Sequence, residues 1–228
     1  MVDTAKRTRN KLDEKERLRL LKMSQFEEEA YKKGYKIVAG CDEAGCGPLA
    51  GPVVAAACIL PRGIVIPKMN DSKKLTPAIR EELHHFIVND SRISYGIGIV
   101  EVDEIDRINI YHASLLAMKI AVENLKIAPD FLLVDGRPLT QVGIPSLKIV
   151  KGDQLSICIA SASVIAKVER DRIMQKYDLE WPHYGFAQHK GYATRQHLDA
   201  IDLHGRCPLH RKSFKPVSII HECEYDLC

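Results

Sequence analysis

Four carboxylates in this chain stand at the ends of apolar runs, and that placement constrains the fold more than any other feature. Asp42-Glu43 closes the run over 36–41, Asp135 closes 131–134, and Asp153 follows 146–150. Runs this short and apolar read as buried strands. Ligand sites in open α/β sheets gather at the carboxyl ends of strands, so three such strands side by side bring four acids to one edge. Any one of the four alone would read as a turn or helix cap; the four together read as a site.

Packed carboxylates raise each other's pKa unless a cation neutralises them. Hard divalent ions, Mg²⁺ or Mn²⁺, are the natural partners, because they take oxygen ligands and leave positions for water and phosphate. Two such ions about 4 Å apart activate a water and stabilise the leaving oxygen of an in-line phosphoryl displacement. One obstacle is geometric: neighbours on a strand face opposite sides. Asp42 and Glu43 are therefore expected to share a site only where the strand breaks between them, and Gly45 and Gly47 allow such a break.

Around these acids the chain alternates. Residues 1–34 form a charged extension with an apolar stripe of Leu18, Leu20, Leu21, Met23 and Phe26, which predicts a helix on the outside of the domain. The triplet Glu27-Glu28-Glu29 interrupts its positive charge and disfavours a nucleic-acid-binding arm. Residues 35–176 read as the core, with strands over 36–41, 52–60, 93–100, 131–134 and 146–150. Thr76-Pro77 opens one helix, with Thr as the cap and Pro in the first turn. A second helix runs from Asn109 to about Leu125. A third runs from about Leu155 to Lys176, and its Ala160-Ser161-Ala162-Ser163 run is small enough to pack closely on a sheet. Residues 177–228 read as a helical region, with a helix near 194–204, and a tail. The whole is α/β with a mixed sheet and a helical C-terminal part.

Composition excludes several classes. A net charge of +3 does not by itself imply nucleic-acid binding, so a basic surface must come from local segregation. No apolar run reaches the roughly 18 residues of a membrane span, and the N-terminus has no secretory apolar region; a cytoplasmic protein is predicted. Seven cysteines without a CxxC pair argue against a disulfide framework or a four-cysteine zinc site. Cys41, Cys58 and Cys158 read as small core hydrophobes. The spacing Cys207-Pro208-Leu209-His210 is half of a zinc site without a second half.

Three further segments are candidates. Gly45-Cys46-Gly47 frees the backbone to approach a ligand, yet lacks the Walker and dinucleotide patterns. Asp71-Ser72-Lys73-Lys74 offers amines and a hydroxyl before a helix start, a favourable place for phosphate. Residues 166–217 hold ten Lys or Arg against six acids, interleaved with Tyr177, Trp181, Tyr184, Phe186 and Tyr192. That mixture suits a nucleic-acid surface; equally, the aromatics could be the core of a small helical subdomain. Carboxylates and fold alone leave open another nuclease, a strand transferase or a binding module that has lost turnover.

The segments GCDEAGCGPLAGPVVAAACIL, DSKKL, FLLVDGRP, VKGDQLSICIASASVIAKVERDRIM and YGFAQHKGYATRQHLDAIDLHGRCPLHRKSF resemble those of bacterial ribonuclease HII, the type 2 ribonuclease H, in order from about Lys36 to Phe214. The resemblance implies a ribonuclease-H-like fold with a mixed central sheet and a C-terminal helical region. It implies a monomeric endonuclease for RNA/DNA hybrids and for duplex DNA with embedded ribonucleotides. Cutting would fall on the 5′ side of the ribonucleotide and leave a 3′-hydroxyl and a 5′-phosphate, serving primer removal and ribonucleotide excision. The family's acids fall on Asp42, Glu43, Asp135 and Asp153, as metal ligands for Mn²⁺ or Mg²⁺. Its substrate-sensing tyrosine falls on Tyr192, and its 2′-hydroxyl-reading loop on Gly45, Cys46 and Gly47. Lys73, Lys167, Arg211 and Lys212 are expected phosphate contacts, and the tail over 218–228 is where a sliding clamp would be met. One departure matters. The family's Gly-Arg-Gly reads Gly45-Cys46-Gly47 here, and a neutral thiol cannot replace a guanidinium. Weaker substrate binding or altered junction selectivity is expected, with metal ligation intact.

Overall fold

The computed structural model describes residues 14–219. Its centre is a five-stranded mixed sheet of β1 (Val38–Ala44), β2 (Val53–Ile59), β3 (Ser94–Val100), β4 (Phe131–Asp135) and β5 (Ser146–Ile149), in the order β3-β2-β1-β4-β5. The first three strands form an antiparallel meander, while β4 and β5 run parallel to β1. Helices cover both faces, as a sheet with parallel members requires.

Two helices set the layers. One face of the sheet carries α4 (Val102–Glu123), whose Ala113, Ala117 and Ala121 pack with Ala39, Cys41, Ala55 and Ala57. The other carries α6 (Ile157–Glu180), preceded by the single turn α5 (Gly152–Leu155). The small residues of α6 have the predicted role: a Cβ on Gly40 would stand 2.2 Å from the backbone of Cys158 and Ile159, so helix and strand touch main chain to main chain. The Thr76 hydroxyl accepts from Ile79 N at the start of α3 (Pro77–Asn89), as expected of that cap.

The predicted helix start at Asn109 is also present, with an addition. Asn109 adopts φ 64° and ψ 163° inside α4, and its Oδ1 accepts from the N–H groups of Tyr111 and His112. It therefore caps a second helical segment that abuts a first one beginning at Val102, which the sequence reading did not anticipate.

The N-terminal helices α1 (Glu14–Met23) and α2 (Gln25–Lys32) bury only part of the predicted stripe. Leu20 and Met23 join the core, whereas Leu18 and Leu21 are exposed. Glu27, the first of the three glutamates that interrupt the positive charge of this segment, is buried. Its carboxylate accepts from the Ser156 hydroxyl at 2.6 Å and from Cys158 N at 3.0 Å, capping the start of α6. Cys41, Cys58 and Cys158 are buried, as expected.

The C-terminal helices α7 (Phe186–His189) and α8 (Arg195–His204) build their own small core with Leu49, Met174 and Cys207. Tyr184 and Phe186 are interior members of it, and Tyr177 and Trp181 pack against it. Of the five aromatics singled out in 166–217, Tyr192 is the exposed one.

Candidate active site

Adjacency of β1 and β4 creates the site. Cys41 pairs with Val134 in parallel register, so the next residues, Asp42 and Asp135, stand side by side where the pairing of these two strands ends. The strand does not break between Asp42 and Glu43: β1 continues through Ala44, pairing Asp42 with Ala56 and Glu43 with Ala55. The expected break is thus replaced by another solution. The two acids face opposite sides of the sheet, Asp42 toward Ser163 of α6 and Glu43 toward Cys46 and Arg137, and both feel Asp135 at the sheet's end.

Asp153 reaches the same edge indirectly. After β5 the chain turns through Lys151 in the left-handed region (φ 57°), and Asp153 sits in α5 rather than on a strand end. The turn is tied to the site, because Gly152 N donates to Asp135 Oδ1 at 2.6 Å.

The electrostatics are those of repelling acids out of water. Burial, then Glu43 and Asp135, push the Asp42 carboxyl well above the usual carboxylate range. Glu43 is raised by burial despite Arg137, the Cys46 thiol and Lys73. Burial and Asp71 push Asp153 up to about 6. Asp71 was missed by the sequence reading, which took DSKKL for its amines and hydroxyl. Its Oδ1 accepts from Lys73 N at 2.9 Å. The Lys73 side chain is desolvated, yet Asp42, Asp153, Asp71 and Asp135 outweigh that and hold its pKa above the usual lysine value.

Oxygen donors that repel one another, with a buried Glu43 Oε2 lacking any hydrogen-bond partner, fit a hard divalent ion. Among the described residues no group of three or more His, Cys, Asp or Glu side chains is arranged to hold a metal ion by itself.

Beside the acids lies the loop 45–51. Gly45 has φ 101°, and a Cβ there would meet the Arg170 side chain at 2.2 Å. Arg170 and Arg211 are both buried. Arg170 donates to the carbonyls of Ala50, Pro52 and Lys190. Arg211 donates to those of Gly45, Cys46 and Gly51. The expectation of a phosphate contact at Arg211 is therefore corrected: its guanidinium is spent on the loop's own carbonyls and has no exposed surface. In a trans peptide the N–H points opposite the preceding C=O. Arg211 thus turns the N–H groups of Cys46 and Gly47 to the other side, where Gly47 is exposed. The Tyr192 ring borders that side, its Cε1 lying 3.8 Å from where a Cβ on Gly47 would stand.

Cys46 points inward. Its thiol is 3.3 Å from Glu43 Oε1 and 4.0 Å from an Arg137 nitrogen, and burial with Glu43 pushes it up to about 12. Arg137, another residue the sequence reading passed over, stands 3.7 Å from Glu43 and lies over the Tyr111 ring. The remaining expected phosphate contacts fall elsewhere. Lys167 is paired with Asp171 at 2.6 Å in a cleft between α3 and α6 that Arg80 and Lys190 also line. Lys212 is exposed where its backbone N–H meets Asp106.

Residues 39–217 match the model of the ribonuclease HII family. A ribonuclease HII of Acetivibrio thermocellus is 55% identical over 201 residues, 88% of this chain and 78% of that one. The ribonuclease H2 of Pyrococcus horikoshii superposes with a TM-score of 0.67 at 26% identity, covering 81% of this chain and 96% of that one. A ribonuclease HII from Archaeoglobus fulgidus, solved in complex with PCNA, superposes at 0.65 and 26%, covering 79% and 96%. With its acids at the joined ends of β1 and β4 and this match across most of its length, the chain belongs to the ribonuclease HII family of metal-dependent endoribonucleases.

Proposed function

We propose that the protein hydrolyses the phosphodiester on the 5′ side of ribonucleotides, in RNA/DNA hybrids and in DNA duplexes with embedded ribonucleotides. The products would be a 3′-hydroxyl and a 5′-phosphate, serving primer removal and ribonucleotide excision. The observation that carries this reading is the convergence of Asp42, Glu43 and Asp135 on one sheet edge, next to a backbone loop and an exposed tyrosine.

In this reading Asp42, Glu43, Asp135 and Asp153 hold two divalent ions, Mg²⁺ or Mn²⁺, which supply charge stabilisation and an activated water when bound. The protein's own groups do the rest. Ser163 and Gly152 N orient Asp42 and Asp135. Lys73 balances the cluster and meets substrate phosphate. The N–H groups of Cys46 and Gly47 face the ribose, whose 2′-hydroxyl separates RNA from DNA. Tyr192 lies against the sugar of the junction. A sliding-clamp partner belongs to the same reading, by analogy with the Archaeoglobus fulgidus complex; residues 220–228 of the tail expected to meet it lie outside the described residues.

The test is cleavage of a DNA duplex holding one ribonucleotide, beside an all-DNA duplex, with Mg²⁺, Mn²⁺ or chelator, and Asp135→Asn as the inactive control. Metal-dependent cutting 5′ to the ribonucleotide alone is expected. Cutting of both duplexes would make the protein a general nuclease. Binding without cutting would make it a binding module.

A further inference from the structure

A buried chain of hydrogen bonds outside the carboxylate site ends on the backbone of Tyr192. His197 and His210 are fully buried and His189 nearly so. The partners of each ring decide its tautomer. The Tyr192 carbonyl can only accept, so His197 Nδ1, 2.9 Å away, carries the proton and donates. Neutral His197 then offers Nε2 as an acceptor, and His210 Nε2–H, 3.0 Å away, donates into it. His210 Nδ1 in turn accepts from the N–H of Cys207 at 2.9 Å and from its thiol at 3.1 Å. The Cys207 carbonyl is farther, at 3.3 Å, and the shorter N–H contact sets the tautomer.

His189 completes the group. It accepts from Gly191 N at 3.1 Å, donates to the Tyr184 carbonyl at 2.7 Å, and stacks on His197 with centroids 4.4 Å apart. One arrangement of protons satisfies all three rings, and it fixes the segment 189–192 from inside. The same segment reaches the catalytic loop, where Leu49 N donates to the Gly191 carbonyl at 2.8 Å. Cys207 and His210, whose spacing lacked the second half of a zinc site, are instead both engaged in this chain of hydrogen bonds.

We propose that His197, backed by His210 and Cys207, is a positioning residue that holds the Tyr192 ring beside Gly47 for substrate. The proposal rests on the reading above that Tyr192 touches substrate. A backbone carbonyl fixed from the interior cannot slide, and a ring that must meet the junction sugar loses its placement when that anchor goes.

Two isosteres separate the contacts. The amide of His197→Asn falls near Nδ1 and keeps a donor for Tyr192; that of His197→Gln falls near Nε2 and keeps the His210 side instead. The assay is steady-state cleavage of the single-ribonucleotide duplex at saturating Mg²⁺, with Tyr192→Ala as benchmark and each isostere also made in the Tyr192→Ala background. His197→Gln is expected to lower kcat/KM roughly tenfold, in whichever of kcat or KM Tyr192→Ala changes, while His197→Asn stays within about twofold. In the Tyr192→Ala background His197→Gln should add no further loss, because coupled residues are not additive.

A folded His197→Gln enzyme with unchanged kinetics overturns the proposal. So does a full His197→Gln loss on top of Tyr192→Ala, which would mark general structural damage. Unchanged kinetics of Tyr192→Ala itself would instead refute the substrate role of Tyr192. Should His197→Gln not fold, the paired His197→Leu/His210→Leu variant takes its place, removing the chain without leaving a lone buried imidazole.

Discussion

The Cys46 thiol lies 3.3 Å from Glu43 Oε1, on the inner side of the loop whose outer side Tyr192 borders. The side chain at the position where the resemblance implies an arginine therefore meets the Glu43 carboxylate. Cys46→Arg is expected to lower KM for the single-ribonucleotide duplex about threefold and shift the preference between junctions, with the divalent requirement unchanged. Equal KM and equal junction preference in the two proteins would refute a substrate role for the missing guanidinium.

Asp153 carries a pH dependence that applies to the metal-free protein. Its folded pKa of about 6 is above its ordinary 3.8, so the folded state holds the proton more tightly than the unfolded chain. The associated stability is present below pH 3.8 and lost as pH rises through 6. At pH 8 with chelator, Asp153→Asn should melt a few degrees above the parent, since roughly 1 kcal/mol corresponds to about 2–4 °C at this size. Added Mg²⁺ should raise the parent's Tm more than the variant's. A variant that melts lower in chelator would contradict the repulsion described here.

The buried histidines act in the opposite sense. Burial holds His197 down to about 4 and His210 down to about 3, below the ordinary 6.5. The unfolded chain binds these protons first, so stability is full above pH 6.5 and falls as pH drops toward 4. Denaturant midpoints taken from pH 7 to pH 4 should fall steeply in the parent. They should fall less in His197→Leu/His210→Leu; equal slopes would exclude these residues as the source.

Arg211 should behave as a brace. Arg211→Met leaves the carbonyls of Gly45, Cys46 and Gly51 without their donor and is expected to cost about 2–4 kcal/mol in stability. The slope of log affinity against log salt should not change, whereas loss of a phosphate contact lowers it by about one. Lys73→Ala, at the exposed edge of the acids, should show that lowered slope. A reduced slope for Arg211→Met would return Arg211 to the substrate surface.

Local chemistry made much of this legible in advance. Apolar runs bounded by acids marked β1, β4 and β5, because a strand's burial is written in consecutive side chains. Small residues of α6 announced close packing, and Thr76 and Asn109 announced helix starts, because caps are contacts within one turn. Burial of Glu27 and Arg211 was not legible, since the partners of Glu27 lie some 130 positions away and those of Arg211 some 160.

The sequence by itself marked the acids that gather beside β1 and β4, the class of sheet that carries them and the family to which the motifs belong. Tertiary structure decided how neighbours on an unbroken strand both come under the influence of Asp135, because β4 ends beside them. It also added Asp71 and Arg137 to that edge, and turned Arg211 and the histidines inward. A charge reads the same in sequence whether it meets water, phosphate or a buried carbonyl, and only the packed chain determines which of these it meets.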